Sequence, residues 1–272
     1  MSDFARALLR PETVALVGAS DTPGRLTARP QRFLARHGWA GRLYPVNPRR
    51  ETVQGLPAYP SVGAIPEPVE HAYILLDTDA ALDAVEDCAA AGVKVVSVLA
   101  DGFAEAGPAG MAKQERLAAL AREAGLALLG PNSMGVVETA SGFACTTNAA
   151  FNAEKLMPGR VAVLSQSGSV IGAMLSRGEA GGRGFGALVS LGNEACLGVG
   201  EVGAALADDP GIDAFALFLE TLRRPGAVAD FAAKARALGK PVVAYLVGRS
   251  AAGEALAASH TGAMVGGGRS IV

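Results

Sequence analysis

Short apolar runs alternate with alanine-rich stretches of helical length along almost the whole chain. A run with few polar residues suits a strand buried on both faces, as in a parallel sheet covered by helices. Such runs fall at residues 13–17, 42–46, 71–76, 93–99 and 126–129, with helices expected near 26–37, 79–90 and 108–124. Residues 131–158 break the rhythm: rich in Asn, Thr and Ser, they read as a connection carrying a short hairpin. The rhythm then restarts, with strands at 160–164, 186–191, 214–219 and 241–247. Helices are expected from the 165–169 turn to about residue 177, at 199–207 and at 227–237. Strands separated by helices argue for parallel, doubly wound sheets, and the restart argues for two of them. The expectation is an α/β chain of two consecutive parallel-sheet domains, residues 1–140 and 141–272.

Length and composition agree. The 272 residues are enough for two ordinary cores, and a chain half hydrophobic but only 5% aromatic suits alanine-rich helices on Val/Leu strands. A formal charge of −2 gives no basic field, which excludes nucleic acid as an expected partner. Cys88, Cys145 and Cys196 are far apart and form no CxxC, so neither a disulfide framework nor a metal site is indicated. The N-terminus carries no signal-peptide pattern, and no apolar run is long enough to span a bilayer. No membrane association and a cytoplasmic location are expected.

Chemistry is expected where strands hand over to helices. The first turn, Gly18-Ala19-Ser20, delivers a buried strand to a helix beyond Gly24 and Arg25. Helix N-termini attract phosphate, and glycine lets a ligand approach the backbone. The turn is not GxGxxG, and the second strand ends in Asn47-Pro48-Arg49-Arg50 where an NAD site would offer an acid. Arginines there favour an extra phosphate, as in NADP or the 3′-phosphate of coenzyme A, if they are not simply a solvated pair.

The second turn, Ser165-Gln166-Ser167-Gly168-Ser169, sets three hydroxyls and a glycine at a helix start. No GK[ST] follows, so the turn is not a nucleoside-triphosphate loop and suits a small phosphate or a phosphorylated side chain. Glu220 closes a strand in the same block, where a carboxylate can raise the basicity of an imidazole. His260, in Ser259-His260-Thr261-Gly262, is the imidazole such a carboxylate would serve.

The ordered set GAS (18–20), YPVNP (44–48), YPSV (59–62), GPN (130–132), SQSG (165–168), SLGN (190–193), LE (219–220), GRS (248–250) and SHTG (259–262) resembles the NDP-forming acyl-CoA synthetases, relatives of the succinyl-CoA synthetase α subunit. The resemblance covers essentially the whole chain. It implies a Rossmann-like coenzyme A-binding domain followed by a flavodoxin-like domain, and a histidine, His260, phosphorylated during turnover. Carried over by position, Gly18, Ala19, Ser20, Gly24 and Arg25 would hold the coenzyme A phosphates. Asn47, Pro48 and Arg49 would border its nucleotide end, and Gly102, Phe103, Pro131 and Asn132 the path to its thiol. Residues 165–169 would receive the phosphate carried by His260, and Glu220 would orient that histidine. The chain departs from the family pattern at Asp77, where proline is common, and at Ala100-Asp101, where the pattern reads Ser-Ala.

The implied reaction joins a small carboxylic acid to coenzyme A at the expense of ATP. The resemblance further implies that ATP and Mg act through an ATP-grasp unit not in these residues, on a partner or a further part of the chain. It also implies that the protein is an oligomer. The acyl group is expected between residues 134–137 and the second domain. A non-catalytic coenzyme A-binding module and an NADP-dependent oxidoreductase are the alternatives.

Overall fold

A computed structural model describes residues 1–247; the expectations for residues 248–250 and for His260 lie outside the described residues. After α1 (Asp3–Leu9) the chain runs β1 (Thr13–Val17), α2 (Arg29–Arg36), β2 (Arg42–Val46), the two-residue pair β3 (Thr52–Val53) and β4 (Leu56–Pro57), β5 (His71–Ile74), α3 (Thr78–Ala90), β6 (Val95–Val98), α4 (Pro108–Glu123) and β7 (Ala127–Leu129). It continues with β8 (Gly135–Glu138), β9 (Phe143–Thr146), β10 (Pro158–Ser165), α5 (Gly168–Ala180), β11 (Phe185–Ser190), α6 (Val199–Leu206), β12 (Ala214–Leu219), α7 (Pro225–Ala237) and β13 (Val242–Leu246).

The first sheet is parallel in the order β2-β1-β5-β6-β7, so its winding reverses between β1 and β5. All five residues of β1 are buried, as a strand covered on both faces requires. The expected helix at 26–37 starts late: a 3-10 turn, Leu26–Ala28, precedes α2. Pro30 explains the start, because a ring without an N–H is tolerated only in a helix's first turn.

The second sheet has the order β13-β12-β10-β11-β8-β9. Strands β10 to β13 are mutually parallel and reverse winding between β10 and β12, whereas β8 joins β11 antiparallel and β9 joins β8. The expected boundary at residue 140 therefore falls inside a hairpin whose two strands both belong to the second sheet. Val136 and Val137, expected beside the acyl group, are fully buried, because a strand next to β11 turns both its faces into packed layers.

One apolar cluster spans both sheets. Leu8 and Leu9 of α1 pack in a single cluster with Leu16 and Tyr73 of the first sheet and Val136, Leu164 and Val189 of the second. Arg6 of α1 is anchored by Glu70, whose carboxyl it draws down to about 2. Arg10 reaches two buried carboxylates of the second unit, Asp209 at 2.9 Å and Glu138 at 3.5 Å. The Asp209 contact is a charge contact without an aligned hydrogen bond at that oxygen. Polar links complete the joint: the Tyr73 hydroxyl donates to the Ser133 carbonyl at 2.9 Å, and Ser133 Oγ donates to the Ser190 carbonyl at 2.6 Å. The loop after β11 lies along β7, with the amides of Asn193, Ala195 and Leu197 donating to the carbonyls of Pro131, Gly130 and Leu128 at 2.8, 2.9 and 3.1 Å. That docking carries the end of the first sheet to the carboxyl end of the second.

Among the described residues no helix is long and apolar enough to cross a membrane, and no group of three or more His, Cys, Asp or Glu side chains is placed to hold a metal ion. The three cysteines are free thiols.

Candidate functional site

A cleft of about 200 Å³ opens at the carboxyl ends of β10, β11 and β12, beside the point where the winding of the second sheet reverses. Ligands of open α/β sheets collect at such points. The first wall is the β10–α5 turn. Ser167 is the N-cap residue of α5, yet its side chain makes no cap hydrogen bond. The first amides of a helix have no partner within it, and the helix dipole places about half a positive charge there. Gly168 permits the packing: a Cβ at this position would lie 2.7 Å from Met134 Sδ, another residue of the cleft. Asn148 Nδ2 donates to the Gly168 carbonyl at 2.9 Å and pins the first turn of the helix.

The expected serine nest is smaller than its sequence suggests. Ser167 and Ser169 line the cleft, their hydroxyl oxygens 3.1 Å apart. Ser165 is fully buried and donates its hydroxyl to the Ser167 carbonyl at 2.7 Å, because the last residue of β10 turns into the sheet's covered side. Gln166 braces the opposite wall instead of offering its amide to an anion. Its Oε1 accepts from the amides of Glu220 (2.7 Å) and Thr221 (3.0 Å), and its Nε2 donates to the Thr221 carbonyl at 2.8 Å. One planar amide thus fixes the chain as it leaves β12 and sets Glu220, nine-tenths buried, across the cleft from α5.

Asn193 and Arg223 line the cleft although neither carries an expected role. Asn132, expected beside coenzyme A, comes from the first domain to line this cleft, and Asn193 meets it there. Asn193 Nδ2 donates to the Glu105 carboxylate and, at 3.0 Å, to Gln114 Oε1, so two first-domain side chains hold it. Among the described residues Arg223 is the sole cationic one lining the cleft, and its guanidinium makes no hydrogen bond or ion pair there. The adjacent Arg224 is committed to the Cys196 carbonyl and, at 3.1 Å, to Glu201. The N-terminus of α6 is likewise occupied, since Glu201 accepts from the Gly198 amide and Glu194 from the Val199 amide, both at 3.0 Å. Burial pushes the Glu194 carboxyl above its usual range, with the Gln166 amide, the Val199 N–H and the two arginines opposing. The signal for Asn193 and Arg223 lay in or beside motifs already noted, SLGN and LE, but nothing local says that these two strand ends converge.

The first-domain residues gather at the other reversal point. Gly18 has φ +88°, and a Cβ there would lie 2.6 Å from Leu76 Cδ2. Its amide donates to the Val46 carbonyl at 2.9 Å, and Asn47 Nδ2 donates to the Ala19 carbonyl at 2.9 Å, joining the ends of β1 and β2. Ser20 Oγ accepts from the Thr22 amide at 3.1 Å. Gly24, Arg25, Pro48 and Arg49 are exposed on the rim of this crest. Arg50, by contrast, pairs with Asp21 at 3.1 Å. Gly102 has φ +83° and lies against Thr78, whose hydroxyl donates to the Asp101 carbonyl at 2.6 Å. Asp77 caps α3, accepting from the Ala80 amide at 3.1 Å. Phe103, expected at the ligand, is fully buried in the first-domain core, where its ring removes more apolar surface from water than a rim position would. Pro131 is buried as well, leaving Asn132, at φ +59°, as the exposed residue of its motif.

Comparison with known proteins follows this division. A CoA binding domain model matches residues 12–139, and a succinyl-CoA ligase like flavodoxin domain model matches residues 158–271. The chain is 36% identical over 259 residues to acetate–CoA ligase [ADP-forming] I of Archaeoglobus fulgidus, covering 95% of this chain and 37% of that protein. It is 30% identical over 237 residues to the ADP-forming sulfoacetate-CoA ligase subunit SauD of Bilophila wadsworthia, covering 85% and 78%. The dinucleotide forming acetyl-coenzyme A synthetase 1 of Ca. Korarchaeum cryptofilum, solved with phosphate and ADP, superposes with a TM-score of 0.88 at 31% identity, covering 98% of this chain and 56% of that one. The chain thus spans little more than a third of the length of the Archaeoglobus relative.

Proposed function

The chain belongs to the NDP-forming acyl-CoA synthetase family, and on that premise we propose that it supplies the coenzyme A-binding and phosphohistidine part of an acid–thiol ligase. The overall reaction is carboxylic acid + coenzyme A + ATP giving acyl-CoA + ADP + phosphate, or its reverse. The observation that carries the reading is the cleft in which the uncapped N-terminus of α5, the Ser167 and Ser169 hydroxyls, Glu220 and first-domain Asn132 face one another.

In this reading His260, phosphorylated from ATP by an ATP-grasp unit with Mg, brings its phosphoryl group to that cleft. Glu220 holds one ring nitrogen of the histidine and stabilises its positive charge. The substrate carboxylate then attacks phosphorus: the N–P bond breaks, its electron pair returns to the imidazole, and an O–P bond forms. The thiol of coenzyme A attacks the resulting acyl phosphate. A C–S bond replaces the C–O bond, and phosphate departs into the cleft carrying the thiol proton. Dividing the synthesis in this way exchanges one high barrier for smaller ones. Positioning and charge stabilisation dominate such phosphoryl transfers.

Coenzyme A fits the first-domain crest. Gly18, at φ +88° with Leu76 packed where a Cβ would stand, holds a turn that other residues would distort, and the exposed Arg25 and Arg49 suit a polyanionic nucleotide end. Gly18→Val is expected to push Leu76 aside and weaken coenzyme A binding at least tenfold, read by calorimetric titration; affinity within twofold of wild type would place the nucleotide elsewhere. The partner is an ATP-grasp domain or subunit, a reading supported by the Bilophila relative's being a ligase subunit. An oligomer working in the cytoplasm completes the proposal.

The test uses a panel of small acyl phosphates with the purified chain and reads acid-labile phosphate on His260 by mass spectrometry. At least one is expected to label the wild type. His260→Ala is expected to abolish the label and keep coenzyme A affinity within a few-fold. Absence of label from the whole panel, or tight NADP binding without coenzyme A binding, overturns the reading.

A further inference from the structure

Among the described residues the cleft is short of positive charge for the group it is proposed to pass. A phosphoryl group brings nearly two negative charges, whereas the α5 N-terminus offsets about half of one. Like charges crowded into a partly desolvated site repel far more strongly than they do in water. The remaining walls among the described residues, from Asn132 and Met134 to Thr221, are neutral, so Arg223 is the one described side chain lining the cleft that can close the balance. Its guanidinium has no hydrogen-bonded or ion-paired partner among the described residues, while the neighbouring Arg224 is held by Glu201 and the Cys196 carbonyl. Arg223 also stands on a braced segment, two residues beyond the Thr221 carbonyl that Gln166 Nε2 grips at 2.8 Å.

Resting on the ligase reading, we propose that Arg223 is a further catalytic residue, the group that holds the phosphoryl oxygens against the Ser167 and Ser169 side of the cleft. It forms no covalent bond. While the N–P bond breaks and the O–P bond forms, its two parallel N–H donors follow the charge on the non-bridging oxygens, and afterwards they hold the phosphate released by the thiol. A planar fork suits two phosphate oxygens better than a point charge does. The same contact works in reverse, where inorganic phosphate must be captured before it attacks acyl-CoA.

Two measurements test this on the whole chain. In the first, His260 is labelled from acyl-CoA and radioactive inorganic phosphate at varied phosphate concentration. Arg223→Gln is expected to raise the KM for phosphate about ten- to hundredfold, the range of a lost charge-assisted hydrogen bond. The KM for acyl-CoA stays within twofold, and Arg223→Lys recovers part of the loss. An unchanged phosphate KM, or a rise in the acyl-CoA KM instead, overturns the assignment. The second measurement titrates inorganic phosphate without turnover. Wild-type binding weakened at least tenfold in Arg223→Gln, and unchanged in Arg177→Gln at the far end of α5, supports the proposal even if no acyl-CoA tried is a substrate. Equal binding in wild type and Arg223→Gln, or none in either, overturns it. Labelling that fails while phosphate binding still depends on Arg223 counts against the ligase reading alone.

Discussion

Arg10→Ala is expected to destabilise the protein by about 3 kcal/mol, the largest stability effect we foresee for a single surface-reaching side chain. The arginine is one-third exposed, but its partners Asp209 and Glu138 are 1% and 3% exposed. Removing it leaves two buried carboxylates without their cation, held among the described residues only by the neutral donors of Ser141 and Gly211, and a buried charge without its counter-ion costs far more than the pair contributed. The loss should appear as a fall in the urea midpoint. The triple variant Arg10→Ala, Glu138→Gln, Asp209→Asn should recover at least half of it, because the stranded charges go as well. A loss below about 1 kcal/mol would mean that water reaches both carboxylates, as at a surface ion pair.

Glu220→Gln is expected to slow phosphoryl exchange with His260 by about 10²-fold or more, the range usual for a positioned acid–base partner. The substitution keeps the size and most of the hydrogen-bonding shape of the side chain but removes its charge. The clamp on this strand end survives the substitution, because Gln166 grips the backbone amides of Glu220 and Thr221 and not the carboxylate. Coenzyme A affinity should likewise hold within a few-fold. Rapid-quench labelling of His260 from an acyl phosphate separates the cases: an unchanged rate would reduce Glu220 to part of the wall.

How much of the site could be read from residues alone depended on what each residue does with its side chain. Gly18 was legible because a strand-to-helix turn demands a conformation glycine adopts readily, and φ +88° meets that demand. Glu220 was legible as a carboxylate ending an apolar strand, and it does line the cleft. Ser165 and Gln166 look like their neighbours in the sequence. One ties the turn from beneath and the other clamps the opposite wall, because successive residues at a strand end face opposite sides. Phe103 sits in a motif that resembles a ligand loop, yet burial of its ring decides its place. Arg223 could not be told from Arg224 in the run Leu222-Arg223-Arg224-Pro225; one guanidinium is spent on Glu201, while the other belongs to an exposed residue that lines the cleft.

The amino-acid sequence by itself determined the α/β class, the two successive sheets and the strand ends at which ligands collect. Apolar periodicity, proline positions and glycine turns act over a few residues, so they can be read along the chain without knowing what packs against it. Only the tertiary structure decided that the β8–β9 hairpin joins the second sheet, and that the loop after β11 lies along β7. It also decided that Asn132, Ser167, Glu220 and Arg223 share one cleft. Those outcomes rest on strand order and on which face of each strand is covered, and both are set by contacts between residues far apart in the chain. A shift of a single residue in one strand's register would turn that strand's side chains to the other face and displace the turn that follows it.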